Sequence, residues 1–316
     1  MLFRAAAESD LDRVLPLVAA DPLGSMTVEL FTARLGTREY RLDWMWIAED
    51  SPGGTVRAVA AWWGNPASPV PRALDGLFTV DPDHDHATLA AELLAAALAE
   101  FAKAGVTTPP DFHLFLPADW HDRPDMIAAV AWRTEAARRI GLSASVERLR
   151  YEWTPAAGVP EPSARLLFRP EPDDEVFVDL FRQVLTGTLD AASGKEAAKV
   201  GAEAQARADV EFYRDHMIGL RSWWRVAETP SGEPVGFGLP SRNNDSPVVG
   251  YLGVLPEHRG HGYSDDILAE ITRILAADAS ADRIEADTDL TNVPMAASFA
   301  RIGYRNNGRH LVLSAD

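Results

Sequence analysis

The chain has no cysteine among its 316 residues. That excludes structural disulfides, thiolate-held metals and a cysteine nucleophile. It has no long apolar run either. Residues 1–10 lack the apolar core of a signal peptide. The stretch 89–101 is interrupted by Glu92 and Glu100, which reads as an amphipathic helix rather than a membrane span. Both absences predict a cytoplasmic protein without a membrane partner. Positive charge is scarce, with 30 Lys and Arg against 47 Asp and Glu and a net charge of −17. A field of that sign repels nucleic acid and mildly attracts a cationic amine. The hydrophobic share of 47% and charged share of 24% are those of a globular protein long enough for one large domain or two ordinary ones.

What is present is a repeat. Leu2-Phe3-Arg4 recurs as Leu167-Phe168-Arg169, and Trp44-Met45-Trp46-Ile47-Ala48-Glu49 as Trp223-Trp224-Arg225-Val226-Ala227-Glu228. Val80-Asp81-Pro82-Asp83-His84 matches Val254-Leu255-Pro256-Glu257-His258, and Arg139-Ile140-Gly141 matches Arg301-Ile302-Gly303. Matches in one order at similar offsets indicate two copies of one fold. They join through the Pro-rich stretch from Thr154 to Pro162, which has linker composition. In the second copy the pattern predicts strands near 166–169, 223–227, 235–239, 248–254, 283–288 and 310–313. Helices are expected at 174–185, through an Ala-rich region to about 216, after residue 262, and at 294–302.

The most informative segment is Val254-Leu255-Pro256-Glu257-His258-Arg259-Gly260-His261-Gly262-Tyr263-Ser264. An apolar strand enters a loop with two glycines, and Ile267, Leu268, Ile271, Ile274 and Leu275 then follow at helical spacing. Glycines let backbone N–H groups approach an anion, and the first turn of a helix supplies unpaired donors at the positive end of its dipole. Ser264 could serve as the helix N-cap. The loop is not a dinucleotide G-x-G-x-x-G, and no Gly-Lys-Ser/Thr follows, so it is not a P-loop. In the first copy the same place reads Asp85-His86-Ala87-Thr88, without glycines and with a carboxylate, so only the second copy is expected to hold an anionic ligand.

The loop resembles the Arg/Gln-x-x-Gly-x-Gly/Ala signature of the GCN5-related N-acetyltransferases (the GNAT superfamily), which bind the pyrophosphate of acetyl-CoA. Arg259 and Gly262 fit it, and Ser264 departs from the usual Gly or Ala. Downstream, Asn292, Gly303 and Tyr304 fit a second family pattern, with Phe299 in the usual Tyr place. The resemblance covers nearly all of the second half and is similar to the tandem arrangement of mycothiol synthase-like acetyltransferases. It implies a mixed α/β fold with two tandem GNAT-like domains, 1–154 and 165–316, joined by a linker at 155–164. Each is a central, mostly antiparallel twisted sheet flanked by helices. It also implies acetyl-CoA as co-substrate, bound by Leu252, Gly253, Val254, Arg259, Gly260, His261, Gly262, Tyr263, Ser264, Asp265 and Asn292. The family further implies a splay between the fourth and fifth strands, where a backbone N–H within Leu252–Val254 polarises the thioester carbonyl. Gly253, unusual inside a strand, fits a bulge or a close ligand approach.

Amide formation needs a neutral amine, so a base must take a proton from the ammonium. Glu285, Asp287 and Asp289 share one face of an alternating strand, and like charges there would raise at least one pKa. Some ribosomal-protein acetyltransferases of the family that the chain resembles have a Glu five residues before the Asn, and the resemblance implies Asp287 as the first choice of base; a solvated strand end or an ammonium-binding cluster is the alternative. Phe299 cannot protonate the leaving thiolate, which leaves Tyr304, Tyr251, Tyr263, Ser298 or solvent. The Asp81/Asp83/His84-Asp85-His86 turn lacks metal-ligand spacing and no metal is expected. The tryptophans on expected strands read as core, with an aromatic wall for an amine as the other reading of Trp223 and Trp224. The functional expectation is direct acetyl transfer to a primary amine of a small molecule. A non-catalytic acyl-CoA-binding protein and transfer to a protein N-terminus are the alternatives.

Overall fold

In the computed structural model, residues 1–79, 85–243, 246–278 and 281–315 are described. The repeat segment Val80–His84, and with it most of the acidic turn weighed as a metal site, lies outside them. In chain order the first elements are β1 (Leu2–Ala5), α1 (Leu11–Ala19), α2 (Val28–Gly36), β2 (Tyr40–Glu49), β3 (Val56–Trp63), β4 (Ala73–Thr79), α3 (His86–Lys103), β5 (Asp111–Leu116), α4 (Pro124–Arg139) and β6 (Ala144–Trp153). The pattern then recurs as β7 (Leu167–Pro170), α5 (Asp174–Val184), α6 (Ala191–Val200), α7 (Ala202–Asp215), β8 (Arg225–Glu228), β9 (Pro234–Arg242), β10 (Pro247–Val254), α8 (Tyr263–Asp278), β11 (Ile284–Asp289), α9 (Val293–Arg301) and β12 (Arg305–Ser314).

The folded chain forms two compact units, residues 1–147 with 308–316, and residues 148–307. The division differs from the one drawn at the Pro-rich join, because the last strand of each repeat pairs in the other repeat's sheet. In the first unit β12 lies antiparallel to β5 (Arg309 opposite Leu116), and in the second β6 lies antiparallel to β11 (Asp287 opposite Arg150). A repeat read along the sequence cannot reveal which sheet its last strand joins.

The second unit's strand order is β7-β8-β9-β10-β11-β6. All its pairs are antiparallel except β10 with β11. One face of the sheet carries the apolar side of α8, where Ile267, Leu268, Ile271, Ile274 and Leu275 are all buried with Phe299 and Tyr304. The other face carries Phe177, Phe181 and Val184 of α5 and Ala206 and Val210 of α7. The helix starts are locally encoded: Asp173 accepts from Glu175 N–H before α5, Asp190 from Ser193 N–H before α6, and Asn292 from Met295 N–H before α9. The Ala-rich stretch is two helices broken at Gly201, whose φ of +91° suits glycine. The first unit repeats this plan in the order β1-β2-β3-β4-β5-β12, with β4 and β5 parallel.

Two expectations shift in detail. The strand expected from Trp223 begins at Arg225, and Arg221–Trp223 is a 3-10 turn. Both tryptophans are buried, Trp223 with the α8 core and Trp224 with the α5 core, so neither forms an exposed aromatic wall. Consecutive bulky residues that pack on opposite faces mimic a strand in the sequence. The irregularity expected at Gly253 lies instead between Val248 and Tyr251, where Gly250 has φ +69°. A Cβ on Gly250 would fall 2.1 Å from Leu239 O. Gly253 is glycine for packing, since its Cβ would meet Val184 at 2.9 Å.

Candidate active site

The site is built where β10 and β11 part. Among the described residues they pair only at Val248 with Glu285, so β10 beyond that point loses its parallel neighbour. Its other edge stays paired with β9 from Tyr251 opposite Leu239 to Val254 opposite Gly236. Leu255 N–H donates to Val235 O at 2.9 Å. Hydrogen-bonded and non-hydrogen-bonded pairs alternate in an antiparallel ladder. Gly253 therefore points its backbone polar groups at β9, while Leu252 and Val254 point theirs into the splay. Two of the three residues anticipated for the carbonyl contact thus present amides to this cleft.

The loop that leaves β10 ends in a ring of unused donors. Gly260 and Gly262 both have positive φ, +82° and +76°. Alternating left- and right-handed residues turn successive N–H groups to one side, the concave arrangement that receives an anion. Helix α8 begins at Tyr263 and adds its own first-turn donors. Among the described residues, no protein acceptor engages the amides of Gly260, His261, Gly262, Tyr263 or Ser264. The Asp265 amide, by contrast, already donates to Gly262 O at 3.1 Å. The loop's carbonyls are held on the outside: Arg165 donates to His261 O at 2.9 Å and to Gly262 O at 3.2 Å, and pairs with Asp266. The carboxylate of Asp265 is bound by Arg301 at 2.6 and 2.8 Å. Both acids of the first turn of α8 are therefore neutralised, which leaves the amide ring net attractive to a diphosphate.

Arg259 does something the sequence did not show. Its guanidinium donates to Val184 O at 2.8 Å, Thr186 O at 2.7 Å and Gly187 O at 3.2 Å, and its Nε to Val254 O at 3.2 Å. It satisfies carbonyls at the C-terminal end of α5, where a cation is favoured by the helix dipole. The arginine thereby ties the loop to α5 with its side chain rather than presenting a free cation to the amide ring.

A family model of the acetyltransferase (GNAT) family matches residues 162–304. Those residues belong to the GNAT family. The match falls within the second unit. No curated protein matches the chain's sequence. By fold the chain is similar to the GCN5-related N-acetyltransferase of Sphaerobacter thermophilus, at TM-score 0.60 and 14% identity over 98% of this chain and 94% of that one. It is also similar to a glucosamine N-acetyltransferase region in a fungal multi-domain GH3 β-N-acetylglucosaminidase, at TM-score 0.55 and 15% identity, covering 98% of this chain and 38% of that one.

The GNAT domain disperses some of the remaining sequence candidates. Ser264 is inside α8, not at its cap, and its hydroxyl meets that of Ser298 at 2.8 Å. Tyr263 lies beneath Arg165, 5.1 Å from the guanidinium, and stacks on His261. Asn292 spends its side-chain oxygen on Met295 N–H as the cap of α9. Tyr304 is buried, shares a 2.9 Å hydrogen bond with Thr272, and has its phenol pushed up by burial, so the structure places it in the core and not in the splay. Phe299 is likewise core, stacked on Tyr151 at 4.7 Å and edge-on to Tyr304 at 5.2 Å. Its missing hydroxyl therefore says nothing about the chemistry of the cleft.

The acidic face of β11 is interleaved with arginines of β6. Arg148 lies 3.1 Å from Asp289, and Arg150 lies 3.7 Å from Asp287 and 3.6 Å from Glu285. Asp287 is exposed. Asp289 is 5% exposed, accepts from Ala191 N–H at 2.6 Å, and has its pKa raised by desolvation. Sequence reasoning saw the three acids and missed their partners, because those partners belong to the other repeat. It also missed Tyr213, whose hydroxyl donates to Gly250 O at 3.2 Å and so pins the β10 bulge. The available signal was a Gln-x-x-x-Asp-x-x-x-Tyr spacing (Gln205, Asp209, Tyr213) on one face of an otherwise polar helix. Among the described residues no group of three or more His, Asp or Glu could hold a metal.

Proposed function

We propose that the second unit binds acetyl-CoA and transfers its acetyl group directly to a primary amine of a small molecule. The observation that carries this reading is the ring of unengaged amides from Gly260 to Ser264 beside the splay of β10 and β11. A helix N-terminus preceded by two left-handed glycines fits a diphosphate, with each charge-assisted N–H bond worth about 1.5–3 kcal/mol. The Leu252 and Val254 amides face the cleft where a thioester carbonyl would lie, and a fixed N–H there stabilises the oxyanion that forms on attack. Coenzyme A supplies an already activated acyl group. The chain's part is to orient it, hold the amine beside it and accept a proton, and positioning alone can contribute about 7–11 kcal/mol.

The first unit supports assigning this role to the second. When Val80 is set on Val254, Asp75-Gly76 falls on Val249-Gly250. β4 is irregular at Asp75, as β10 is at Val249-Gly250. There Asp75 is paired with Arg34 and accepts from the Tyr40 hydroxyl at 2.7 Å. A buried, mutually satisfied trio thus fills the first unit's bulge, where the second unit has Val249 in place of Asp75.

The test is calorimetry of CoA binding combined with thiol release from acetyl-CoA across a panel of primary amines. One tight site per chain and amine-dependent release are expected. Tight binding with no release for any amine would favour a non-catalytic acyl-CoA-binding protein.

A further inference from the structure

We propose that Asp209 of α7 accepts the proton of the incoming ammonium, with a protonated primary amine held between it and the phenol rings of Tyr213 and Tyr251 at the β10 bulge. This rests on the acyl-transfer reading of the splay and assigns the proton acceptor and acceptor class within it.

Asp209 and Tyr213 lie one helical turn apart on α7 and share a face. Tyr213 reaches the strand through its bond to Gly250 O, and Tyr251 is the next residue along β10. The two rings stand 6.2 Å apart, and Phe181 backs both of them. Asp209 Oδ1 accepts from Gln205 at 2.9 Å, whereas Oδ2 is buried with no hydrogen-bond partner. A carboxylate oxygen removed from water without a donor is unfavourable and calls for a cation or a proton. The Tyr213 hydroxyl cannot serve, because its proton is committed to Gly250 O.

The surroundings carry an excess of negative charge. Asp190 faces Asp209 from the start of α6, and Asp289 stands on β11. Arg148 of β6 is divided between Asp190 at 3.3 Å and Asp289 at 3.1 Å. Arg259 is occupied by backbone carbonyls. Asp190 and Asp289 thus share one guanidinium, no ion pair reaches Asp209 among the described residues, and a primary ammonium would restore the balance. Burial, together with the nearby Asp190, raises Asp209 to about 6, the range of a working proton acceptor near neutral pH. Asp287 has the opposite setting, exposed and already facing Arg150.

In the step, one ammonium proton moves to Asp209. The neutral nitrogen then forms a bond to the thioester carbonyl carbon, and the carbon–sulfur bond breaks with its electron pair passing to sulfur. The nitrogen's second proton neutralises the thiolate, and Asp209 returns its own to solvent.

Three measurements test this. In protein labelled with 13C at aspartate carboxyls, two resonances should titrate near 6, those of Asp75 and Asp209, and the Asp209 one should vanish in Asp209→Asn. If Asp209→Asn removes only a resonance that titrates below about 4.5, the proposal is overturned. Benzylammonium added to the wild-type protein should move the Asp209 resonance above its pKa; no movement also overturns the proposal. With the amine that releases most thiol, Asp209→Asn should lower kcat by about 100-fold or more and remove the acidic limb of its pH profile. Asp209→Glu should recover part of the rate, and CoA affinity should stay within about twofold of wild type. Retention of more than a tenth of the rate by the Asn variant refutes Asp209's role. Failure of the wild-type protein to bind CoA would instead refute the acyl-transfer reading, leaving the two carboxyl measurements to decide on Asp209.

Discussion

Replacing Arg259 with Met keeps the aliphatic stem and removes the guanidinium. The family pattern alone points to lost phosphate affinity, and the structure points elsewhere. The side chain donates to Val184, Thr186, Gly187 and Val254 carbonyls at 2.7–3.2 Å. A charge-assisted bond of this kind contributes about 1.5–3 kcal/mol when well buried. Arg259 is half-buried and the four bonds are not additive, so a net loss of about 3 kcal/mol is the reasonable scale. For a unit of this size that lowers Tm by about 6–10 °C. The damage should be local. The amides of Leu185, Thr186 and Thr188, bonded to Phe181, Gln183 and Leu185 carbonyls, should exchange with solvent about 100-fold faster. Calorimetry should find CoA affinity reduced by less than about tenfold, through a looser loop. Unchanged melting and exchange with a loss of CoA affinity above about 100-fold would show that the guanidinium contacts phosphate, and the reasoning would be wrong.

Other perturbations separate binding from folding. Gly262→Asp places a carboxylate against the amide ring at φ +76°; backbone strain of about 1–2 kcal/mol should lower the melt slightly, while calorimetry finds no CoA binding. Phe299→Tyr buries a hydroxyl between Tyr151 and Tyr304 and should cost about 1–3 kcal/mol of stability; turnover stays within a fewfold, and a collapse of turnover without destabilisation would contradict the core placement. Asp209 has a folded pKa raised from 3.8 to about 6, so its favourable contribution is complete below the unfolded value and disappears as pH rises through 6. The stability difference between wild type and Asp209→Asn, from denaturant midpoints, should therefore shift by about 2 kcal/mol in disfavour of wild type between pH 4 and 7.5. In the first unit Arg133→Met strands the buried Asp21, now 2.6 Å from the guanidinium, and should cost about 3–5 kcal/mol by thermal melt.

The sequence disclosed most where a local signal and a tertiary role coincide. The apolar spacing of Ile267, Leu268, Ile271, Ile274 and Leu275 fixes a helix, and all five side chains are buried on one sheet face. Gly260 and Gly262 announced a loop whose backbone N–H groups can approach an anion, and both take a positive φ. Legibility failed where partners are distant in sequence. Nothing near Arg259 indicates that α5 carbonyls capture it, and nothing near Asp287 indicates Arg150. Gly253 and Gly250 both interrupt one strand, and only the packing of Val184 and the close approach of Leu239 O tell a packing glycine from a bulge glycine. Tyr304 followed a family pattern into the core, because a residue that ends a helix can satisfy a motif through packing alone.

The central claim is that the backbone amides of Gly260 to Ser264 hold the diphosphate of coenzyme A. The most direct measurement is a 15N–1H correlation spectrum of the protein titrated with CoA. The largest shifts should fall on the amides of Gly260, His261, Gly262, Tyr263 and Ser264, with Leu252 and Val254 next. Saturable binding that leaves those amides unmoved and perturbs residues elsewhere would contradict the account.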